Sequence, residues 1–208
     1  MTSFSTLARA ARLGSTRKRG VTLIEAVLYI SIALALIVGG LVFFQQASLA
    51  QRTNSAVRNI SAIASETRGL YQASNDFSGF THSTLINAGA VPSSLVTNAT
   101  TGEMKNEWGG LITAGSTPAV TAPAFAANTG FWVLYPNVPV AACVRLTSAD
   151  YSGSGRVGSG IRSIVFGSSD PVYPGTVTVQ NLEPSDVATL CEANDTNGLV
   201  NIQFNFNR

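Results

Sequence analysis

The sequence predicts an α+β protein in which one long N-terminal α-helix packs on an antiparallel sheet with short helices. Three features of its 208 residues lead to this prediction. A largely apolar run from Val21 to Phe44 is followed by helical periodicity up to Tyr71. Short β-type segments separated by turn residues come next. The last of these alternates between apolar and polar residues, as a strand with two different faces does.

Positive charge is concentrated at the start of the chain. Five basic residues precede Gly20 without any acidic residue: Arg9, Arg12, Arg17, Lys18 and Arg19. Eight basic and eleven acidic residues remain, so the chain from Val21 onward has a net charge of −3. Its basic residues are scattered and form no stripe that would neutralise a run of phosphates. Nucleic-acid binding is therefore not predicted.

The apolar run is long enough to cross a membrane. Val21 to Phe44 comprises 24 residues, and a helix of about 20 residues spans the hydrocarbon core. The basic residues before it predict a cytoplasmic N-terminus and a translocated remainder. A secretory signal peptide fits poorly, because its cleavage site would follow the apolar region.

One carboxylate, that of Glu25, interrupts the apolar run. An acidic side chain at the centre of a spanning helix costs about 2.5 to 3.5 kcal/mol and usually has a partner. Two interpretations are open. In the first, Glu25 lies one turn from the headgroups and reaches them. In the second, cleavage after Gly20 gives Val21 a positively charged amine, which pairs with Glu25 of the same or a neighbouring subunit.

The segment KRGVTLIE, residues 18–25, resembles the processing site of type IV prepilins. The resemblance implies the type IV pilin fold and cleavage by a prepilin peptidase after Gly20. It also implies that Val21 is the methylated N-terminus and that Glu25 recruits or aligns incoming subunits. The leader of 20 residues and the first residue other than phenylalanine are similar to the type IVb branch. That branch includes the toxin-coregulated, bundle-forming and conjugative thin-pilus pilins.

The helix is predicted to continue beyond the apolar run with one buried face. Between Leu49 and Tyr71, apolar residues recur at three- and four-residue steps, and polar residues occupy the other faces. Gly39 and Gly40 interrupt the apolar half and cost about 2 kcal/mol of helix propensity relative to alanine. Two explanations stay open for them. One is close helix packing through small residues, and the other is local unwinding when subunits pack in a filament.

The sequence after the long helix predicts a sheet with short helices in the connections between its strands. Trp108-Gly109-Gly110 is predicted to form the turn before the sheet, which is also similar to type IVb pilins. The predicted strands are 111–113, 131–135, 161–166, 176–180 and the final segment 200–207. The predicted helices are 84–88, one capped by Asn137 and ending near Ser148, and one from residue 184 or 185 through Cys191. The predicted irregular segments are a loop or weak edge strand at 114–128, a loop at 150–160 and a turn at 194–198.

The chain has two cysteines, Cys143 and Cys191, both downstream of the apolar run. If this region is translocated into an oxidising compartment, a disulfide is the expected state. The closed loop contributes about 4 kcal/mol in the chain-entropy model. By the resemblance, the loop corresponds to the disulfide-bounded region of type IV pilins.

No catalytic, cofactor or metal site is predicted. His82 is the one histidine, so a four-ligand zinc site has too few soft ligands, and a Ser-His-Asp site would have to be built around this one residue in a short polar stretch. His82 is instead predicted at the surface or at a helix cap. The run from Asp195 to Gly198 begins like a calcium loop but lacks the terminal glutamate, and a turn is predicted there. The chain is therefore not expected to be an enzyme.

These features together predict the major structural subunit of a type IVb pilus, serving adhesion, aggregation or conjugation. The predicted organisation is a cleaved leader at 1–20, a helix at 21–71 and a globular head at 72–208. The subunit would lie in the inner membrane with a periplasmic head, meet the prepilin peptidase and the pilus assembly machinery, and end as a homopolymer outside the cell. The alternatives are a minor pilin or type II secretion pseudopilin and, more distantly, a membrane-anchored periplasmic enzyme or binding protein.

Overall fold

The computed structural model describes residues 22–118, 120–121, 124–148, 160–168 and 184–208. The first element within these residues is a helix of 48 residues. The chain divides into two compact units, Met1–Phe44 and Gln45–Arg208. The helices are α1 (Leu23–Leu70), α2 (His82–Asn87), α3 (Val140–Thr147) and α4 (Pro184–Ala193). The strands are β1 (Val96–Asn98), β2 (Glu103–Lys105), β3 (Leu111–Ser116), β4 (Val120–Thr121), β5 (Ala124–Phe125), β6 (Gly130–Pro139), β7 (Ile161–Phe166) and β8 (Leu199–Asn207).

The second unit is built on an antiparallel sheet with the strand order β1-β2-β3-β6-β8-β7. Strands β4 and β5 pair separately with each other. The two long strands, β6 and β8, lie side by side inside the large sheet, so each is hydrogen-bonded along both edges. Long helix, antiparallel sheet and short helices confirm the α+β class.

The core lies between the C-terminal half of α1 and the sheet. Four apolar residues of α1 belong to the same buried cluster as the inward side chains of β6 and β8: Ala56, Ile60, Ile63 and Ala64. Two threonines on this buried face have their hydroxyl groups satisfied within the helix. Thr53 and Thr67 donate to the carbonyls of Leu49 and Ile63, four residues earlier. The predicted one-sided periodicity of this half is confirmed.

Strand β8 follows the alternation of the sequence. Val200, Ile202, Phe204 and Phe206 belong to the core and are almost completely buried. The polar residues between them include two that are buried on the opposite face. Asn205 donates from Nδ2 to Ser163 Oγ at 2.8 Å and accepts from Gln203 Nε2 at 2.7 Å. The buried amides are thus paired, as burial of polar groups requires.

The prediction of a loop or weak edge strand at 114–128 is wrong for its first part. Residues 114–116 belong to β3 and pair with β6, and an isolated bridge joins Gly115 to Thr81 on the other side. Ala114 is buried, so this stretch is neither a loop nor an open edge. The small residues have a packing reason, since a Cβ at Gly115 would lie 2.8 Å from the ring of Trp132. The glycine leaves room for the tryptophan ring on the neighbouring strand. A composition that would indicate an exposed loop therefore has a packing explanation here.

The prediction that Asn137 caps the following helix is also wrong. Strand β6 runs on to Pro139, which is the N-cap residue of α3. The first helical amide, that of Val140, donates to the carbonyl of Gly198 on the neighbouring chain segment. No side-chain cap bond is formed by the described residues at this end of α3. Asn137 has φ +59° at an irregularity in the β6–β8 pairing, a conformation that asparagine adopts more readily than most residues.

The remaining predicted elements shift or fall outside the described residues. Helix α2 begins at His82, two residues earlier than predicted, because Thr81 is its N-cap. His82 is thus in the first turn of the helix and is not its cap. Strand β7 and the turn at 194–198 are as predicted. The predicted strand 176–180 and nearly all of the predicted loop 150–160 lie outside the described residues.

Candidate functional site

The first turn of α1 places Glu25 between two hydroxyl groups. The amide of Glu25 donates to Thr22 Oγ1 at 3.3 Å, so Thr22 caps the helix that begins at Leu23. One turn further on, the Tyr29 hydroxyl donates to Glu25 Oε1 at 3.4 Å. The contact of Tyr29 with Glu25 was not foreseen from the sequence. The spacing of four residues could have indicated it, because residues i and i+4 share a helix face.

The apolar half of the helix that carries Glu25 has exposed side chains. Its large apolar side chains are each at least 50% exposed: Leu23, Ile24, Val27, Leu28, Tyr29, Ile30, Ile32, Leu34, Leu36, Ile37, Val38, Leu41, Val42, Phe43 and Phe44. By length and composition this helix could cross a membrane. Soluble monomers rarely expose an apolar surface of this extent, so it marks a contact with lipid or with other chains.

Gly39 and Gly40 lie within the unbroken helix α1. A Cβ built on either residue would meet no atom within 4 Å, apart from the helix's own neighbouring backbone. Glycine is therefore not required at these positions by packing inside the described chain.

A second polar site joins α1 to the turn between β2 and β3. Asn59 of α1 donates from Nδ2 to Glu107 Oε1 at 2.6 Å. The turn is held by Asn106, whose Oδ1 accepts from the amides of Trp108 and Gly110. Gly110 has no room for a side chain, because a Cβ would lie 2.3 Å from the carbonyl oxygen of Pro136. The predicted Trp-Gly-Gly turn thus anchors the sheet to the helix.

Burial raises the pKa values of two ionisable groups beside this turn, Glu107 and Tyr135. Desolvation raises the pKa of Glu107, although the hydrogen bonds from its own backbone and from Asn59 act in the opposite direction. Its Oε2 is buried, and none of the described residues provides it with a hydrogen-bond partner. The fully buried Tyr135 on β6 has its pKa raised well above the usual value by desolvation and then by the charge of Glu107. Nothing in the sequence marks these residues, since they meet only in the folded chain.

We expect the Glu107→Gln variant to be more stable than the wild type at pH 7 and equally stable at pH 4. A carboxyl group whose pKa is raised by folding contributes stability below its unfolded-state pKa, and this is lost as the pH rises through the folded-state value. The neutral amide keeps an acceptor for Asn59 without burying a charge. Thermal unfolding of both proteins between pH 4 and pH 7 measures the difference.

The control for this prediction is Glu103→Gln, which changes an exposed carboxylate on the adjacent strand β2. It should leave the pH profile of the melting temperature unchanged. Parallel profiles for the wild type and Glu107→Gln would show that the half-buried carboxylate does not limit stability at neutral pH.

The predicted disulfide links two helices of the second unit. Cys143 of α3 and Cys191 of α4 are bonded, with their Cα atoms 6.1 Å apart and a sequence separation of 48. Both cysteines are completely buried in the core. The bond therefore ties the two short helices to each other beneath the surface.

The described residues include no group of three or more histidine, cysteine or acidic side chains that could hold a metal ion. Asp195 instead closes its turn by accepting from the amide of Gly198 at 2.8 Å.

Comparison with known proteins gives matches over most of the chain. A family model described as PilS N terminal matches residues 50–203. The major structural subunit of bundle-forming pilus from Escherichia coli O127:H6 (strain E2348/69 / EPEC) is 27% identical over 189 residues, covering 88% of this chain and 92% of that protein. The protein of the same description from Escherichia coli O111:H- is 25% identical over the same shares of the two chains.

Solved structures agree with this result. The crystal structure of a type IVb pilin from Salmonella typhi superposes with a TM-score of 0.53 and 25% identity, covering 73% of this chain and 97% of that one. The family model covers well over half of the chain, and the relatives match along nearly their whole length. The chain therefore belongs to the PilS family and is a type IVb pilin.

Proposed function

We propose that this pilin is the major structural subunit of its pilus and that its α1 helix has two successive environments. It is stored in the inner membrane as a precursor with the second unit in the periplasm. After cleavage following Gly20, assembly machinery packs Val21–Phe44 against the same segment of other copies. The proposal rests on the exposed apolar half of α1 with a single carboxylate in its first turn.

The position of Glu25 supports a role in alignment. In an apolar bundle, a carboxylate without a partner is costly, and so is an unpaired ammonium group. The amine created at Val21 would be the nearest cation for Glu25 of an adjacent subunit. A register that brings the two together would be favoured over those that leave both unpaired, so the pair would select one register.

The open surroundings of Gly39 and Gly40 support a role for them in the filament. Because no described part of the chain fills the space beside them, the need for two glycines would arise from neighbouring copies. Close helix packing and local unwinding both remain proposals for this segment.

We expect the Gly20→Phe variant to remain uncut. In the proposed reaction the peptidase must accommodate residue 20 beside the scissile bond, and a bulky side chain would prevent this. Mass spectrometry of the membrane fraction would show a chain that still carries residues 1–20. The matched control is Gly14→Phe in the same leader, which should give a chain that begins at Val21. A Gly20→Phe chain that begins at Val21 would contradict the requirement for glycine, and one that begins at another residue would place the cut elsewhere.

The abundance of the chain in purified filaments tests whether it is the major subunit. A major pilin accounts for most of the protein in sheared pili, and its deletion removes the filament. A chain that is present in trace amounts, or whose deletion leaves filaments of unchanged composition, would instead be a minor pilin or a pseudopilin.

A further inference from the structure

The Tyr29 side chain lies one helical turn beyond Glu25 and reaches its carboxylate. The phenolic oxygen is 3.4 Å from Glu25 Oε1, and both side chains are exposed on the apolar half of α1. Between residues 21 and 44 the other hydroxyl-bearing residues are Thr22 and Ser31. Thr22 Oγ1 accepts from the Glu25 amide, and Ser31 Oγ donates to the carbonyl of Leu28. Tyr29 is thus the hydroxyl that this segment directs at the carboxylate.

A hydroxyl donor matters most where water is excluded. Hydrogen bonds to an ionised acceptor are stronger than neutral ones, and a low dielectric strengthens them further. The bond from Tyr29 occupies one oxygen of Glu25. A carboxylate has about four acceptor positions on two oxygens, so an ammonium group can still bind. Tyr29 therefore does not compete with the amine proposed as the partner of Glu25.

The Glu25 carboxylate forms its hydrogen bond toward the C-terminal side of the helix, and this direction is informative. Thr22-Leu23-Ile24-Glu25 has the spacing of a capping box, in which the glutamate side chain turns back toward the N-terminus of its own helix. Here the Glu25 amide forms its bond to Thr22, but the carboxylate bonds to Tyr29, on the C-terminal side. The chain's own amine after cleavage would be four residues in the opposite direction. Bonding to Tyr29 holds the carboxylate away from it.

We propose that Tyr29 is a positioning residue for Glu25. Its hydroxyl disfavours pairing of Glu25 with the amine of the same subunit and presents the carboxylate to a neighbouring copy. This inference depends on the proposed role of Glu25 in assembly.

The first test is filament yield from cells that express the full-length chain with Tyr29→Phe. The variant should enter the membrane and be cut normally, but the yield of sheared filaments should fall about tenfold, the lower end of the range for loss of one hydrogen bond to a charged group. Ser31→Ala is the matched control, because it removes a hydroxyl of the same segment that donates to a backbone carbonyl. It should give wild-type yield.

The second test detects the hydrogen bond between Tyr29 and Glu25 directly. Infrared spectra of the full-length precursor in phosphatidylethanolamine and phosphatidylglycerol vesicles report the carboxylate stretching band. Tyr29→Phe should shift that band relative to the wild type. The same substitution in a Glu25→Gln background should leave the carboxylate band unchanged. A purely structural effect of the tyrosine ring would not depend on Glu25 in this way.

The outcomes separate the two proposals. Wild-type filament yield in Tyr29→Phe, or a yield that falls without a Glu25-dependent infrared shift, overturns the positioning role. If Glu25→Gln alone assembles normally, the proposed alignment by Glu25 fails. If Glu25→Gln blocks assembly and Tyr29→Phe does not, Glu25 keeps its role and only the inference about Tyr29 is wrong.

Discussion

Replacing Glu25 by alanine is expected to abolish or severely shorten filaments while the precursor still enters the membrane and is cut after Gly20. Insertion should not suffer, because alanine removes a charged group from an otherwise apolar helix. Assembly should suffer, because the substitution leaves the amine of the adjacent subunit without a partner inside the helical bundle. Loss of one partner of a buried ion pair typically costs about 3 to 5 kcal/mol.

Electron microscopy of sheared filaments and fractionation of cells measure the two parts of this prediction. The matched control is Glu66→Ala, which removes an exposed carboxylate from the same helix within the second unit. That variant should form filaments of normal length and number. Normal piliation with Glu25→Ala would refute the alignment role. Loss of the precursor from the membrane would show that Glu25 acts in insertion.

Replacing both cysteines by alanine is expected to lower the free energy of unfolding of the second unit by about 4 kcal/mol. The 48-residue separation sets this value through the entropy of the unfolded chain. For a chain of this size the loss corresponds to about 8 to 16 °C in melting temperature. Because native domains are stable by only about 5 to 15 kcal/mol, the variant should also accumulate poorly in cells.

Thermal unfolding of the full-length chain in detergent, followed by circular dichroism, measures the effect. Wild-type protein treated with a reducing agent provides the matched control, since it opens the same loop while keeping the buried sulfur atoms. Its melting temperature should fall into the range of the Cys143→Ala/Cys191→Ala variant. A double variant with the same melting temperature as the oxidised wild type would contradict the stabilising role of the disulfide.

Several elements follow from local sequence because each depends on one periodic signal. The 3.6-residue pattern between Leu49 and Tyr71 identifies the buried face of α1, and the alternation from Val200 to Asn207 identifies β8. The pairing of Cys143 with Cys191 requires no choice among partners, since the sequence contains two cysteines. In these cases the pattern identifies the residues that face the apolar core, although the burial of Gln203 and Asn205 on the opposite face of β8 does not follow from it.

Other features depend on partners that are distant in sequence. Asn137 is a good helix-capping residue, yet the backbone of Gly198 supplies the first bond of α3. The small residues of β3 resemble a loop until Trp132 is placed over Gly115. The half-buried site of Glu107 is likewise not evident from the sequence before Asn59, 48 residues earlier, is brought beside it. Tertiary contacts override local preference at each of these positions.

The candidate assembly site was only partly predictable for a related reason. Glu25 stands out because a charge in an apolar run is rare, whereas Tyr29 reads as one more apolar residue of that run. Its hydroxyl gains meaning only when the helix places it on the Glu25 face. A search for donors at i+4 from any carboxylate in an apolar helix would have found it.

Cryo-electron microscopy of filaments sheared from the producing cell tests the central claim most directly. The claim is that the apolar half of α1 ends as the permanent core of a polymer of this chain. The map should show Val21 as the first residue, the segments 21–44 bundled along the axis, and the Glu25 carboxylate within hydrogen-bond distance of the N-terminal amine of an adjacent subunit. Filaments that lack this chain, or that contain it with residues 1–20 attached and its apolar segment outside the core, would contradict the account.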